Sequence, residues 1–382
     1  MRLLFTCRPA IGHFEPLAPL ARVAEARGHV VAFASGEPIT TRARSAGFRS
    51  ESAGLSIDES IAARMRSGIV YTELKETRSV AFGRWFPGIE APAILADLDR
   101  ICADFHPDIM VHELSEFAAP VAASSAGIPW VTVGYGPLLR PEFAVSAGQT
   151  AAPMWRERGL AMPPWGGLYR HLYVDPCPPA MQIAAVSELP AVVGIRPAGA
   201  PRTILPSVPR VPGRVYVTFG TLWNSGPAAV DRLRRTVAGA AEAASEVVVT
   251  VGNDTNPAIL GPQPRHVSVR RFVPQDELLP TCSGLVCHGG AGTLIAGLRW
   301  GVPALLLPQR ADQFYNAECA GGARIALVLQ PEEANCMSIA EAVRDLLADV
   351  ALAARVAAAG AELMGMPDAS EVLDRIERLA SS

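Results

Sequence analysis

A glycine-rich turn between an apolar strand and a helix is the feature that most restricts how this chain can fold. Residues 285–287 predict a short buried strand and residues 294–300 predict a helix. Between them lies His-Gly-Gly-Ala-Gly-Thr, residues 288–293. A helix that begins after such a turn leaves backbone N–H groups unpaired at its N-terminus, where the helix dipole favours negative charge. The turn therefore predicts a diphosphate site, to which the Thr293 hydroxyl adds a donor.

Two other segments extend this prediction from a diphosphate to a nucleotide sugar. Asp312 and Gln313 follow an apolar strand predicted over residues 304–307, and both side chains can hydrogen-bond sugar hydroxyls. Upstream, Phe272 offers an aromatic face to a base and Val273 offers backbone groups to its edge. Glycine-rich turns without phosphate are common, so only the combination favours a nucleotide-sugar site.

These segments resemble the signature region of inverting glycosyltransferases of the GT-B fold, a large family that includes natural-product and UDP-glucuronosyl-type transferases. The resemblance covers residues 272–313, the Gly-His-Phe-Glu-Pro run at 12–16 and the Val-Thr-Phe-Gly-Thr run at 217–221. Within this family, the chain resembles the antibiotic glycosyltransferases of actinobacteria. The resemblance implies an α/β protein with two Rossmann-like parallel-sheet domains facing a central cleft.

The resemblance and the proline pattern together divide the chain. Five prolines between 197 and 212 indicate a linker without regular structure. We expect an N-terminal acceptor-binding Rossmann-like domain at 1–195, a linker at 196–213, a C-terminal nucleotide-sugar-binding Rossmann-like domain at 214–366, and a helix at 367–382 that crosses back to the first domain.

Alternating strand and helix patterns in each half indicate parallel sheets covered by helices. In the first half, strands are predicted at 3–7, 30–34, 108–112 and 130–133, and helices at 17–27 and 116–126. In the second half, strands are predicted at 215–219, 246–251, 267–269, 285–287 and 304–307, and a final helix at 369–379. Residues 135–180 are the least regular and predict proline-broken loops.

Composition limits the class of protein. The chain has 382 residues, of which 49% are hydrophobic and 19% charged, which suits two folded domains. A net charge of −3 indicates no nucleic-acid partner. No apolar run has the length of a membrane span or a signal peptide, so we expect a cytoplasmic protein without stable membrane association, and a homodimer is an open alternative to a monomer.

The seven cysteines are dispersed and odd in number, which predicts reduced thiols. Cys282, Cys287 and His288 could suggest zinc, but no second cysteine pair lies nearby, and Cys287 fits a buried strand position better. We expect no metal and no resident cofactor, since the nucleotide sugar is a co-substrate.

A histidine and an acid are the candidate catalytic residues. His13 lies between the first strand and its helix, and an imidazole suits removal of an acceptor proton at neutral pH. The resemblance makes His13 the general base and expects a carboxylate behind it, at the end of a later strand. Glu113 occupies that position, Glu116 is its rival, and His112 is expected to be structural.

The resemblance also implies the remaining site residues. Donor binding is expected at Gly220, Thr221, Phe272, Val273, His288, Gly289, Gly290, Gly292, Thr293, Asp312 and Gln313. Acceptor binding is expected among aromatic and methionine side chains that also suit core packing, namely Phe82, Trp85, Phe86, Tyr135, Met154 and Trp155. The helix dipole and His288 are expected to replace a metal cation in a single-displacement, inverting reaction.

One position bears on the donor. Many relatives that use UDP-sugars have a glutamate eight residues after the signature histidine, where it binds the ribose hydroxyls. The matching residue here is Ala296, which predicts a dTDP-sugar. The resemblance implies a hydrophobic secondary-metabolite aglycone of polyketide or enediyne type.

Other functions fit the sequence less well. A UDP-sugar transferase, a nucleotide-sugar 2-epimerase, a lipid-linked transferase and a non-catalytic nucleotide-sugar-binding protein share the expected fold. An epimerase has no need of His13 as an acceptor base. The first strand lacks the dinucleotide glycine fingerprint, and His288 stands where an ATPase P-loop has lysine.

Overall fold

The computed structural model describes residues 1–69, 75–198, 209–220, 226–253 and 255–381. The chain divides into two compact units. The first comprises Met1–Cys177, Ile183–Ala198 and Met366–Ser382, and the second comprises Pro178–Gln182 and Gly199–Gly365. The segment Pro178–Gln182 differs from the sequence prediction, which assigns it to the first domain.

A parallel sheet forms the centre of the first unit. Its described strands are β1 (Arg2–Thr6), β2 (Val30–Ser35), β3 (Arg49–Ser52), β4 (Ile109–Glu113), β5 (Trp130–Val133), β6 (Leu172–Asp175) and β7 (Val192–Gly194). Their order is β3-β2-β1-β4-β5-β6-β7, so the direction of strand addition reverses between β1 and β4. In such sheets ligands bind outside the carboxyl ends of the strands at this reversal.

Helices cover both faces of this sheet. They are α1 (Ile11–Phe14), α2 (Ala18–Ala26), α3 (Ile39–Ser45), α4 (Ile57–Arg66), α5 (Lys75–Trp85), α6 (Ala91–Phe105), α7 (Ala118–Ala126), α8 (Pro141–Glu157) and, from the end of the chain, α15 (Ala369–Ala380). Side chains alternate along each strand, so Leu4 and Met110 enter one core while Leu3 and Ile109 enter the other. Helix α15 completes the second core and packs against α2.

The predicted loops at 135–180 are wrong over much of their length. Helix α8 occupies 17 of these residues and β6 another four. Prolines misled the prediction, because Pro141 begins α8, where proline needs no hydrogen-bond donor, and Pro153 is accommodated inside it.

The second unit is built on a second parallel sheet. Its described strands are β8 (Arg214–Thr218), β9 (Glu246–Thr250), β10 (Val267–Arg270), β11 (Gly284–Cys287), β12 (Ala304–Leu306) and β13 (Ala326–Val328). Its described helices are α9 (Pro227–Ala243), α10 (Gln275–Leu278), α11 (Ala291–Arg299), α12 (Gln313–Gly322), α13 (Cys336–Ala348) and α14 (Val350–Gly365). The order is β10-β9-β8-β11-β12-β13, with the reversal between β8 and β11.

Within the described ranges, no single helix combines the length and apolar character needed to cross a bilayer. One pair, α14 and α15, meets the criteria together by length and composition only, and it is bent by 47°.

Helices α9 and α13 approach closely through a glycine. A Cβ on Gly239 would lie 2.6 Å from the backbone oxygen of Cys336 and 2.9 Å from Cβ of Ile339. Both distances are shorter than van der Waals contact, so the helix spacing depends on the absence of a side chain at this position.

We therefore predict that Gly239→Ala destabilises the protein by about 1–3 kcal/mol, because the new methyl group forces the two helices apart. The matched control is Gly322→Ala on α12, where a Cβ would meet nothing within 4 Å. Alanine should leave stability there unchanged or raise it by about 0.5–1 kcal/mol. Denaturant unfolding of both variants measures the difference, and equal stabilities would contradict the packing argument.

Candidate active site

In the first unit, His13 and Glu113 meet at the point where the strand order reverses. Glu113 is the last residue of β4, and His13 lies on the short helix α1 that follows β1. The Nδ1 atom of His13 lies 3.0 Å from Oε2 of Glu113. The ring is turned so that this nitrogen is off the ideal hydrogen-bond line, which is common in catalytic pairs before substrate binds. The His13 side chain is 16% exposed and that of Glu113 is fully buried.

Glu113 is held as a carboxylate by its neighbours. The backbone N–H of Ser115 donates to Oε2 at 2.6 Å, and that of Arg8 donates to Oε1 at 3.3 Å. Burial alone would raise the pKa of Glu113, but His13, the Ser115 N–H and the Arg8 guanidinium outweigh it and lower that pKa below its ordinary value. An ionised carboxylate behind His13 can stabilise the imidazolium that forms when His13 takes a proton.

The rival acid, Glu116, has a different role. Its two carboxyl oxygens accept the backbone N–H groups of Ala118 and Ala119 at 2.8 and 2.9 Å, at the start of α7. It therefore caps this helix. His112 is buried, and its Nε2 lies 2.8 Å from the Thr132 hydroxyl, which fits the structural role predicted for it.

Arg8 and Glu90 are polar residues of this site that the sequence analysis missed. The Nε and Nη2 atoms of Arg8 donate to the two carboxyl oxygens of Glu90 at 3.0 and 2.9 Å. Nη1 of Arg8 lies 3.4 Å from Nε2 of His13. Glu90 ends a π-helical turn, Phe86–Glu90, that joins α5 to α6. The two residues are 82 positions apart, so no local pattern in the sequence indicates the pair.

The predicted acceptor residues separate into two groups. Tyr135 and Trp85 are partly exposed and lie near the dyad: the Tyr135 ring is 4.8 Å from that of His13, and the Arg8 guanidinium lies 4.9 Å from the Trp85 ring. The others, which are buried in the core, are Phe82, Phe86, Met154 and Trp155. Core packing, the alternative left open by the sequence, accounts for this second group.

A small cavity of about 20 Å³ lies beside Arg8 and Glu90. Apolar side chains including Ala53, Leu55, Ile94 and Phe117 line much of it. The first unit therefore places a polar dyad, an ion pair and an apolar pocket around one edge of its sheet.

In the second unit, His288 follows β11 at the corresponding reversal of strand order. Its imidazole fills space that two glycines leave open. A Cβ on Gly290 would lie 2.5 Å from Nε2 of His288, and one on Gly220 would lie 3.0 Å from its Cε1. Gly289 has φ of +80°, a conformation that favours glycine. The glycines therefore make room for the histidine ring as well as for a ligand.

Helix α11 begins directly after this turn, three residues earlier than predicted. Gly290 is its N-cap residue, and no side chain caps it. The first intrahelical acceptor is the Gly290 carbonyl, bound by the N–H of Leu294, so the preceding N–H groups have no partner within the helix. Gly292 is exposed at this end, and Nε2 of Gln275 donates to the Thr293 hydroxyl at 3.2 Å. The arrangement suits an anion.

His288 is uncharged in this arrangement. Burial lowers its pKa to about 4, and the backbone of Thr218 offsets this only partly. At neutral pH the imidazole is therefore a hydrogen-bond donor and not the cation that the sequence predicts in place of a metal. The N-terminus of α11, with its partial positive charge, can attract a diphosphate in this unit.

The segment before α12 is tied to the glycine-rich turn through Asn316, which the sequence analysis also missed. The Asn316 amide donates to the carbonyl of Gly289 and to the carboxylate of Asp312, both at 2.9 Å. Gln313 is buried, and its Oε1 accepts the backbone N–H groups of Gln309 and Arg310 at 3.0 and 3.2 Å. The side-chain carbonyl oxygen of Gln313 thus stabilises the loop that precedes α12.

Three other donor predictions concern the loops that follow β8 and β10. Phe272 is 54% exposed, as expected of a side chain that stacks on a base, and Val273 is partly exposed beside it. Thr221 lies outside the described residues.

The cysteines do not form a metal site. Cys282 and Cys287 are buried thiols. Across the described ranges, no group of three or more histidine, cysteine or acidic side chains is placed to hold a metal ion.

The burial of Glu116 predicts a pH dependence of stability. Burial raises its pKa to about 8, the charge on Glu113 adds to this, and the two backbone donors oppose it. The folded state therefore binds this proton more tightly than the unfolded chain, whose glutamates titrate near about 4.3. The contribution is complete below about pH 4.3 and is lost as the pH rises to about 8.

We predict that Glu116→Gln, which cannot ionise, becomes more stable relative to the wild type as the pH rises from about 5 to about 8. Urea unfolding at several pH values measures this difference. The control is Glu157→Gln, at an exposed position, which should keep the wild-type pH dependence. If the stabilities of Glu116→Gln and the wild type changed with pH in the same way, the raised pKa assigned to Glu116 would be wrong.

Comparison with known proteins places this arrangement in a family. Models of the N-terminal and C-terminal domains of proteins described as "Erythromycin biosynthesis protein CIII-like" match residues 22–197 and 234–379. The L-demethylnoviosyl transferase of Streptomyces niveus is 32% identical over 337 residues, which cover 86% of this chain and 85% of the relative.

Solved structures agree on the fold. The glycosyltransferase VinC in complex with dTDP superposes with a TM-score of 0.79 at 23% identity and covers 100% of both chains. The spinosyn rhamnosyltransferase SpnG complexed with thymidine diphosphate superposes with a TM-score of 0.82 at 23% identity, covering 99% of this chain and 100% of that one. The chain therefore belongs to the erythromycin biosynthesis protein CIII-like family, the natural-product glycosyltransferases of the GT-B fold.

Proposed function

We propose that this protein transfers a deoxysugar from a dTDP-sugar to a hydroxyl group of a hydrophobic secondary-metabolite aglycone, with inversion at the anomeric carbon and without a metal ion. The observation that carries the proposal is the contact between His13 and the buried carboxylate of Glu113 at the carboxyl edge of the first sheet. His13 is the general base, and Glu113 positions it.

The chemical step is a single displacement. Glu113 accepts from Nδ1 of His13, so Nε2 presents a lone pair to the acceptor hydroxyl. As the acceptor O–H bond breaks, its proton passes to Nε2 and its oxygen forms a bond to the sugar C1. The bond from C1 to the diphosphate oxygen breaks on the opposite side, and the electron pair leaves with the diphosphate.

The start of α11 is proposed to stabilise that leaving group. The N–H groups of Gly292 and Thr293 lie at the N-terminus of the helix, where a developing negative charge is favoured. His288 adds a neutral donor, and Asp312 is proposed to bind sugar hydroxyls. Phe272 is proposed to stack on the thymine.

The choice of dTDP rests on Ala296 and on the relatives. Ala296 lies on α11 where many UDP-sugar enzymes have an acid for the ribose hydroxyls, and its methyl group can accept no hydrogen bond. Two of the similar structures contain dTDP or thymidine diphosphate. A UDP-sugar enzyme of the same fold, or a non-catalytic protein that binds a nucleotide sugar, is the alternative.

For the base, we predict that His13→Ala lowers kcat by about 10²–10⁴-fold, because the acceptor then loses its proton to water. The matched control is His106→Asn, an exposed histidine at positive φ that asparagine tolerates, which should leave kcat unchanged. Transfer by His13→Ala within a few-fold of the wild-type rate would exclude His13 as the base.

Glu113 is tested through a double-mutant cycle. Glu113→Gln should lower kcat in the wild type but have little further effect in His13→Ala, because a positioning residue acts only through the group that it positions. Equal losses in both backgrounds would mean that Glu113 acts on the fold. Thermal unfolding of each variant shows whether stability contributes.

For the donor, we predict that dTDP raises the midpoint of thermal unfolding more than UDP does at the same concentration, since only the folded protein binds the nucleotide. Ala296→Glu should narrow or reverse that difference by supplying an acceptor for the ribose hydroxyls. A larger shift with UDP in the wild type would overturn the donor assignment. No shift with either nucleotide would favour a different function for the second unit.

A further inference from the structure

Several contacts hold the guanidinium of Arg8 in place. Glu90 holds two nitrogens of its guanidinium, and the guanidinium carbon lies 4.9 Å from the Trp85 ring and 4.6 Å from the Phe86 ring. Ser60 in turn donates to Glu90 and accepts from the Trp85 indole N–H at 2.9 Å. A side chain with many rotamers is thus held in one orientation.

This orientation directs the remaining guanidinium nitrogen at the reacting atom of the base. Nη1 of Arg8 lies 3.4 Å from Nε2 of His13, the atom that faces away from Glu113. An acceptor oxygen within hydrogen-bond reach of Nε2 therefore lies next to a guanidinium that carries a second Nη1 proton. Burial would lower the pKa of Arg8, but Glu90 raises it above its ordinary range, so this group remains a cation.

The charges around His13 favour an acceptor oxyanion only after His13 has taken up the acceptor proton. Before proton transfer, Arg8 faces the carboxylates of Glu90 and Glu113, so negative charge is in excess. Once His13 has taken the acceptor proton, two cations face these two carboxylates, and the new oxyanion lies against Arg8. Tyr135 adds a hydroxyl to this side, 2.8 Å from the hydroxyl of Ser115.

We propose that Arg8 determines specificity for the acceptor, pairing with the acceptor oxygen as it loses its proton and so favouring phenolic or enolic hydroxyls over aliphatic alcohols. The inference rests on the proposed role of His13 and names the class of hydroxyl that this site takes. A phenolic or enolic hydroxyl ionises at a much lower free-energy cost than an aliphatic alcohol, so its oxyanion can form against Arg8 on binding, whereas an aliphatic alcohol develops negative charge only in the transition state.

The cavity beside the pair suits such an acceptor. Its enclosed volume is about 20 Å³, so only the edge of a ring can enter, and Ile94 and Phe117 give it apolar walls. Arg8 and Glu90 form part of the same lining, so a ring whose edge enters it brings its hydroxyl to the polar end.

Binding of a fluorescent phenol tests the proposal without a donor. The probes are 7-hydroxy-4-methylcoumarin, whose neutral and anionic forms have different excitation spectra, and 7-methoxy-4-methylcoumarin, which cannot ionise. The wild type should bind the hydroxy compound at least about tenfold more tightly, as expected for a hydrogen bond to a charged group. The bound compound should show anion excitation at a pH where the free compound is mainly neutral.

Two variants separate the charge of Arg8 from its packing. Arg8→Met combined with Glu90→Gln removes both charges without leaving one buried alone, and it should lose the anion excitation and reduce the preference to a few-fold or less. Arg8→Lys keeps a cation opposite Glu90, leaves no buried charge unpaired and should keep the anion excitation. Near-ultraviolet circular dichroism checks folding. The proposal is overturned if the double variant keeps the preference, or if the wild type binds both coumarins equally or binds neither.

Turnover separates this inference from the function on which it rests. With a dTDP-sugar as donor, the ratio of rates for phenol and cyclohexanol should fall about tenfold or more in the double variant. If His13→Ala is inactive and the ratio is unchanged, His13 is the base and Arg8 has no role in specificity. If His13→Ala transfers sugar as fast as the wild type, the proposed base is wrong, and the inference about Arg8 falls with it.

Discussion

Parallel pairing at two strand reversals is the constraint on which the candidate site depends. In the first unit, β1 pairs with β4 so that Thr6 lies opposite His112, and the next residues of both strands lead into the dyad. In the second unit, β8 pairs with β11 so that Thr218 lies opposite Cys287, and His288 follows directly. The backbone N–H and C=O groups of the strands are hydrogen-bonded to neighbouring strands. The loops at these two edges can therefore present unpaired polar groups to a ligand. In the proposed function, the first unit supplies the base and the second unit supplies the anion site.

His13, the proposed base, is surrounded by charges that are costly to bury singly. Glu113, Glu90 and Arg8 are buried or nearly so, and each stands in a set of hydrogen bonds that offsets part of its desolvation. Replacing one member alone leaves an unpaired charge in the interior, which explains why paired substitutions are the informative ones. Glu116 and Glu113 are both buried acids near the start of α7, but their contacts differ. The carboxyl oxygens of Glu116 accept backbone N–H groups at the N-terminus of the helix, whereas Glu113 faces the imidazole of His13.

Local patterns predicted the elements that carry the site, and long-range contacts account for what they missed. The strands that end at Glu113 and Cys287 were predicted to within one or two residues, because parallel strands buried on both faces appear as short apolar runs. The pair Arg8–Glu90 could not be predicted, since it joins positions far apart through a π-helical turn. The protonation state of His288 could not be predicted, because burial, which the sequence does not display, lowers its pKa. Helix α8 was missed because its two prolines indicate loops when they are considered without their positions in the helix.

The most direct test of the account is a crystal structure with dTDP and a methylated, non-transferable phenol bound together. The account predicts diphosphate oxygens within about 3 Å of the backbone N–H groups of Gly292 and Thr293, and an acceptor oxygen within about 3.5 Å of Nε2 of His13. A diphosphate held away from the start of α11, or an acceptor oxygen out of reach of His13, would contradict it.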